Sequence, residues 1–196
     1  LNFIIFYYFG SYSTLSNLII ISSIFLIIHS LLDFIEMLKR KINMDMPRII
    51  SHLGFGLLIF FIGINHNYSI EEDFNLKVGE EKKLENYQIS FSSIEKENNK
   101  NYEAIIGNFI ITDSSNVLKE VLKPEIRIYD FPHTLTYEAS IRTKIFSDKY
   151  LTMSNVARSD YYNIKFQEKP FMIWIWISAF TISIGGFIRL FKKEKI

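Results

Sequence analysis

Four histidines carry most of the chemistry this sequence offers. None is paired at the HxxxH spacing that sets two imidazoles on one helix face. His52 stands in Ser51-His52-Leu53-Gly54-Phe55-Gly56, a few residues into a long stretch without charge. A polar ring inside such a stretch costs free energy, so it usually faces a bundle interior and a partner. Gly56 lies one turn beyond His52, and Gly63 lies two turns further along that face. Small residues there admit a second helix or a flat cofactor. The residues alone leave two readings of His52 open: a ligand, or an imidazole hydrogen-bonded between helices. His29 lies near the inner end of another uncharged stretch, at roughly the depth of His52, and the two could in principle face one ligand. A His29 that reaches for lipid headgroups is the simpler expectation. His66 is expected at an interface, and His133, after Pro132, in a solvated loop. Glu71-Glu72-Asp73 and Glu80-Glu81 are neighbours that point different ways, so they read as solvated runs rather than acid–base pairs. The absence of Cys removes thiolate metal sites and a Cys nucleophile from the chain. No P-loop, GxSxG or GxGxxG occurs. With 22 basic against 21 acidic residues, the chain lacks the positive excess of a nucleic-acid binder, and nucleic acid is excluded as a partner.

The elements that must position these residues follow from gaps in the charge pattern. No charge occurs from Leu1 to Leu32, from Ile49 to Tyr68, or from Pro170 to Ile188. A helix crossing a bilayer needs about 20 mostly apolar residues. The chain is therefore expected to hold three transmembrane α-helices: a first segment over 1–35, a second helix over 47–66 and a third over 170–191. A basic loop at 36–48 and a basic tail at 192–196 would lie on one side. Lys39, Arg40, Lys41 and Arg48 in the loop, with Arg189, Lys192, Lys193 and Lys195 at the end, put that side in the cytoplasm. The segment 67–168 then lies on the opposite side. The expected location is a multi-pass protein of the inner (cytoplasmic) membrane, with this domain periplasmic. Trp174 and Trp176 suit the headgroup level at the outer end of the third span. Leu1 in place of Met, with no basic n-region, reads as a piece of a longer protein rather than a signal peptide.

The insert 67–168 has its own pattern. With 34 Ile and only 4 Ala, the sequence has an AT-rich codon bias, so Ile alone is weak evidence for strand and alternation must carry the case. Tyr87, Ile89 and Phe91 alternate with Gln88, Ser90 and Ser92. Ile126 and Ile128 flank Arg127, and Asn163 and Lys165 bracket Ile164. Period two predicts half-buried antiparallel strands. Val78-Gly79, Glu97-Asn98-Asn99-Lys100-Asn101 and Asp113-Ser114-Ser115-Asn116 supply turns. The expected fold is an inserted antiparallel β-rich external domain, a small barrel or sandwich, with a short helix possible only at Leu118 to Leu122.

Several short stretches, in order, resemble the C-terminal third of the CcmF family, the heme lyase of bacterial-type cytochrome c maturation. His52-Leu53-Gly54-Phe55-Gly56 is similar to the family's AHLGFG-like motif at the start of a span. Glu72-Asp73 and Val78-Gly79 fit its EKD…PG pattern. Pro124-Glu125-Ile126-Arg127-Ile128-Tyr129 resembles PEKRxY, Glu138-Ala139-Ser140-Ile141 resembles EAAI, and Asp148-Lys149-Tyr150 resembles DLY. Lys169-Pro170-Phe171-Met172-Ile173-Trp174-Ile175-Trp176 is close to KPFxRWIW, and Gly185-Gly186 falls where the last span carries a Gly pair. The resemblance covers most of residues 46–191. Ser51, Tyr137 and Ile173 depart from it, standing where the family has Ala, Thr and Arg. The family's WWD segment, its external heme-ligating histidines and one of two intramembrane ligands belong to the upstream part and have no match here.

The resemblance implies a part in heme attachment, with His52 as one axial iron ligand of an intramembrane heme b and no catalytic residue in this chain. The implied partners are the upstream part of the same protein with the WWD segment, the holo heme chaperone CcmE, a CcmH-type subunit, apocytochrome c and the lipid bilayer. The family joins heme vinyl groups to CxxCH thiols, and its heme b is thought to reduce the delivered iron. A chain without Cys takes those thiols from its partner and is not expected to be catalytic alone. The alternatives are a membrane-anchored binding module, in which His52 only packs helices, and a heme-transport subunit.

Overall fold

The computed structural model describes residues 14–40, 45–113 and 119–191. Residues 1–13 of the first expected span, Lys41, the turn residues 114–116, and the tail with Lys192, Lys193 and Lys195 lie outside these. The chain forms two compact units, one of Leu1–Ser69, Lys144–Ser147 and Lys169–Ile196, the other of Ile70–Thr143 and Asp148–Glu168.

The first unit holds helices α1 (Thr14–Arg40), α2 (Met46–Tyr68) and α3 (Met172–Phe191). All three are long and apolar enough to cross a membrane. No Pro or Gly interrupts α1. Pro47 sits in the first turn of α2, where its missing N–H leaves no hydrogen bond unmade. Ser69 ends α2 in an extended conformation, its N–H and hydroxyl both donating to the Asn65 carbonyl at 3.0 and 2.6 Å. Helix α2 is the central one. A Cβ on Gly56 would meet Ile27 of α1 at 2.9 Å, and one on Gly63 would meet Ile20 at 2.8 Å. On the opposite face, a Cβ on Gly54 would meet the Ile182 backbone of α3 at 2.9 Å. Gly185 of α3 in turn lies against Pro47 and Ser51. Backbones this close have no room for a side chain, which is how helices associate where water gives no driving force between them.

Among its described residues the second unit is an antiparallel sandwich of ten strands: β1 (Ile70–Leu76), β2 (Glu81–Lys83), β3 (Tyr87–Asn98), β4 (Tyr102–Asp113), β5 (Lys119–Leu122), β6 (Glu125–Tyr129), β7 (Thr134–Glu138), β8 (Ser140–Thr143), β9 (Ser147–Asn155) and β10 (Tyr162–Pro170). One sheet has the order β1-β10-β9-β8. The other runs β2-β3-β4-β6-β7, with β5 paired to the same long β4. Inward positions recur at period two. Ile89 and Phe91 of β3, Phe109 and Ile111 of β4, Leu151 and Met153 of β9, and Ile164 and Phe166 of β10 form one core. The rings of Phe91 and Phe109 stack at 4.2 Å. A bulge between Phe91 and Ser93 shifts the register there. Gly79 takes φ +89 in the turn after β1, a conformation a Cβ disfavours. Where a short helix was possible, Lys119–Leu122 is strand, its Val121 exposed and Leu122 buried, because pairing along β4 overrides local helix propensity. Leu118 lies outside the described residues.

Two polar links cross between the sheets. The Tyr87 hydroxyl donates to Glu168 at 2.8 Å, and Lys149 Nζ donates to Glu120 at 3.0 Å while lying 4.2 Å from the Tyr87 ring centre. Burial, then the bond to Glu168, pushes the Tyr87 phenol well above its ordinary range, so it stays a donor.

Candidate functional site

Helix α2 fixes His52 by what occupies its other faces. Successive residues turn by about 100°, so Gly54 and Gly56 point to opposite sides and α1 and α3 pack on opposite faces. Between them runs a stripe at spacing four–three–four–three–four: Arg48, His52, Phe55, Ile59, Ile62 and His66. Arg48, His52, Phe55, Ile62 and His66 are exposed, and Ile59 is half-buried. This is a seam with the period of a helix-packing face but with none of the described helices upon it. Its N-terminal end is marked by Arg48, which pairs with Asp33 at 3.6 Å.

His52 therefore does not lie in either helix contact, and no described residue hydrogen-bonds it. Among the described residues, an imidazole bonded between helices finds no partner group at this position. Gly56 and Gly63, expected on the His52 face as room for a cofactor or helix, are filled by Ile27 and Ile20 of α1. The open surface beside His52 is instead the flank carrying Phe55 and Ile62.

His29 separates from His52 in direction, not in depth. The contacts Ile20–Gly63 and Ile27–Gly56 make α1 antiparallel to α2, which sets His29 level with Gly54, within about 3 Å of His52 along the axis. Yet His29 is two residues from Ile27, so it points away from α2, exposed, with its ring 4.2 Å from that of Phe25. The two imidazoles do not converge on one ligand. His66 is exposed near the far end of α2, about 21 Å along the axis from His52. His133 is exposed in the turn between β6 and β7.

Among the described residues no three or more His, Asp or Glu come together as a metal site. A bare ion would find a single donor at His52. A porphyrin brings four nitrogens of its own and needs only axial ligands, so one exposed imidazole beside Phe55 on an apolar seam fits heme iron better than any free cation. The seam was legible in the sequence as a heptad-like spacing around His52. The glycines drew attention to the packed faces instead.

The comparisons with known proteins agree with this architecture. The family model of the CcmF C-terminal β-sandwich matches residues 67–170. The cytochrome c-type biogenesis protein CcmF of Haemophilus influenzae is 29% identical over 147 residues, 74% of this chain and 22% of that protein. Its Escherichia coli K12 counterpart is 26% identical over 146 residues, again 74% of this chain and 22% of the relative. The solved structure of cytochrome c heme lyase CcmF superposes with a TM-score of 0.70, covering 90% of this chain and 30% of its own at 11% identity, which shows a shared fold. The chain spans about a fifth of the length of the curated relatives it matches. Since the family model covers more than half of the residues, on the β unit whose strands and core are described above, the chain belongs to the CcmF family.

Proposed function

We propose that this chain is the C-terminal part of a membrane heme lyase of cytochrome c maturation, and that His52 is one axial ligand of an intramembrane heme b. The observation that carries the proposal is the place of His52: exposed on the one α2 flank that α1 and α3 leave open, with no hydrogen-bond partner among the described residues. The second ligand comes from the upstream part of the protein, docked on the same seam. His52 contributes a neutral imidazole lone pair, and Phe55 and Ile59 keep water from the ring beside it. Bound there, heme supplies a one-electron carrier.

His52 lies sixteen residues before the end of α2 at Tyr68, about 24 Å of helix axis. A heme held that deep is out of reach of an aqueous apocytochrome, so its role is to pass electrons rather than to be attached. The attachment itself adds a cysteine S–H across a heme vinyl C=C: sulfur bonds one carbon, the proton goes to the other, and no net oxidation occurs. The thiols come from apocytochrome c and the heme from the chaperone CcmE, with a CcmH-type subunit presenting the apocytochrome. The basic residues at the inner ends of α1, α2 and α3 support an inner-membrane topology with the β unit on the periplasmic side.

In the complete protein, His52→Ala is expected to lose the b-type absorbance and impair cytochrome c maturation while the β unit stays folded. His29→Ala is expected to retain the heme. A His52→Ala protein with full b-type heme would overturn the assignment.

A further inference from the structure

The connection from β8 to β9 breaks the usual chemistry of a hairpin turn. Tight turns favour Gly, Asn, Asp, Pro and Ser, but this one is Lys144-Ile145-Phe146, closed by the Lys144 N–H donating to the Ser147 carbonyl at 3.2 Å. Its apolar tip is not turned into the sandwich core: Ile145 is 60% and Phe146 67% exposed. Its backbone belongs to the helical unit. The Phe171 N–H donates to the Phe146 carbonyl at 2.8 Å, and Trp174 Nε1 donates to the Ile145 carbonyl at 2.9 Å. The Trp174 ring stacks on Phe61 of α2 at 5.7 Å, and the Phe171 ring lies 5.6 Å from Phe61 and 6.2 Å from Phe146. Phe171 itself holds φ +58, a left-handed conformation that a bulky residue keeps only when its surroundings enforce it.

These bonds fix the depth of the tip. Helix α3 has 20 residues, about 30 Å of rise, which matches the hydrocarbon thickness of a bilayer. Phe171 immediately precedes it. Residues whose backbone carbonyls accept hydrogen bonds from that end stand at the boundary between acyl chains and headgroups, where aromatic residues concentrate. Exposed Ile145 and Phe146 side chains at that level meet lipid, and Trp176 on the first turns of α3 is exposed beside the same boundary.

We propose that Ile145 and Phe146 form a lipid-dipping hairpin tip that inserts into the membrane interface at the end where α2 finishes and α3 starts. The β unit is then tied to the membrane at three points of the chain: after Ser69, at Lys144–Ser147, and before Lys169. The proposal is independent of heme and of His52.

The chain has no Cys, so Phe146→Cys and, separately, Ile145→Cys each give it a single thiol for an environment-sensitive fluorophore. In vesicles of phosphatidylcholine and phosphatidylglycerol, the label at either position is expected to emit to the blue of its emission in water, to be quenched by brominated acyl chains, and to be protected from aqueous iodide. A label at His133→Cys, in another exposed turn, reports the aqueous limit by strong iodide quenching. Iodide quenching at 145 and 146 equal to that at 133 would overturn the proposal. So would protection from both quenchers, which would mean that protein rather than lipid covers the tip. Measuring both positions guards against a single variant that misfolds.

Discussion

The two units bury opposite kinds of residue. In the β unit the fully enclosed side chains are large: Phe91, Phe109 and Phe166, with Ile89, Ile111, Leu151 and Met153 around them. In the helical unit the buried positions of α2 are Pro47, Ile49, Gly54, Gly56 and Gly63, and those of α3 are Ser178 and Gly185. Its large residues, Phe25, Phe55, Trp176, Phe180 and Phe187, face outward. One physical difference explains both patterns. In water, removing apolar area from solvent drives packing, so bulk goes inside. In lipid, acyl chains solvate a Phe ring as well as a protein interior does, so helices gain by close backbone approach and small residues go inside.

The largest expected effect tests the helical half of that contrast. A Cβ on Gly185 would lie 2.9 Å from the Pro47 carbonyl oxygen and from the Ser51 backbone nitrogen, atoms that cannot rotate away. Gly185→Leu should force α2 and α3 apart and cost about 4 kcal/mol or more, at the extreme of single substitutions. The adjacent Gly186 has nothing within 4 Å of its added Cβ. Gly186→Leu should be nearly neutral. Thermal unfolding of both variants in detergent checks this, and equal losses would mean that the two glycines act through helix propensity alone.

A cavity in the β core should come next. Phe91 is fully buried and stacks on Phe109 at 4.2 Å. Phe91→Ala should destabilise the sandwich by about 3 to 5 kcal/mol, the usual range for a buried ring. Urea unfolding followed by near-ultraviolet circular dichroism measures it. A loss below about 1 kcal/mol, the size of a surface change, would show that the core is not packed as the Phe91–Phe109 stack requires.

The contrast also explains what the sequence made legible. Spans were visible because lipid demands long runs without charge, and strands such as Tyr87–Phe91 because one wet face forces alternation. Residues 119–122 left a short helix open because a four-residue strand is made by its partner, here Phe109–Thr112 of β4, and not by its own pattern. At the site, the motif singled out His52 as the candidate, but the direction in which it points was not legible. Gly56 suggested the right turn of helix and the wrong flank, since a small residue marks a place to be filled and Ile27 fills it. The Ile145–Phe146 tip was legible as an anomaly, two apolar residues where a turn was due, but its meaning required the bonds to Phe171 and Trp174.

The smallest expected effect is the sharpest test of the comparison. Phe180 of α3 is 67% exposed, as Phe91 of β3 is 0% exposed, and both are truncated by the same chemistry in a change to Ala. If burial in protein were what mattered to each unit, the difference would be one of degree. If lipid is the solvent of the helices, Phe180→Ala exchanges contacts with acyl chains for other contacts with acyl chains, in the folded and the separated helices alike. The expected cost is then about 0.5 kcal/mol or less, the range for surface substitutions. The measurement is the thermal unfolding of this chain in lipid nanodiscs, repeated with the complete protein. A small loss in both leaves that face to lipid. A small loss here and one of about 2 kcal/mol in the complete protein would mean that an upstream helix covers Phe180, since only a protein partner packs tightly enough to register a missing ring. That outcome would move the outward face of α3 from the lipid side of the comparison to the packed side, beside the His52 seam of α2.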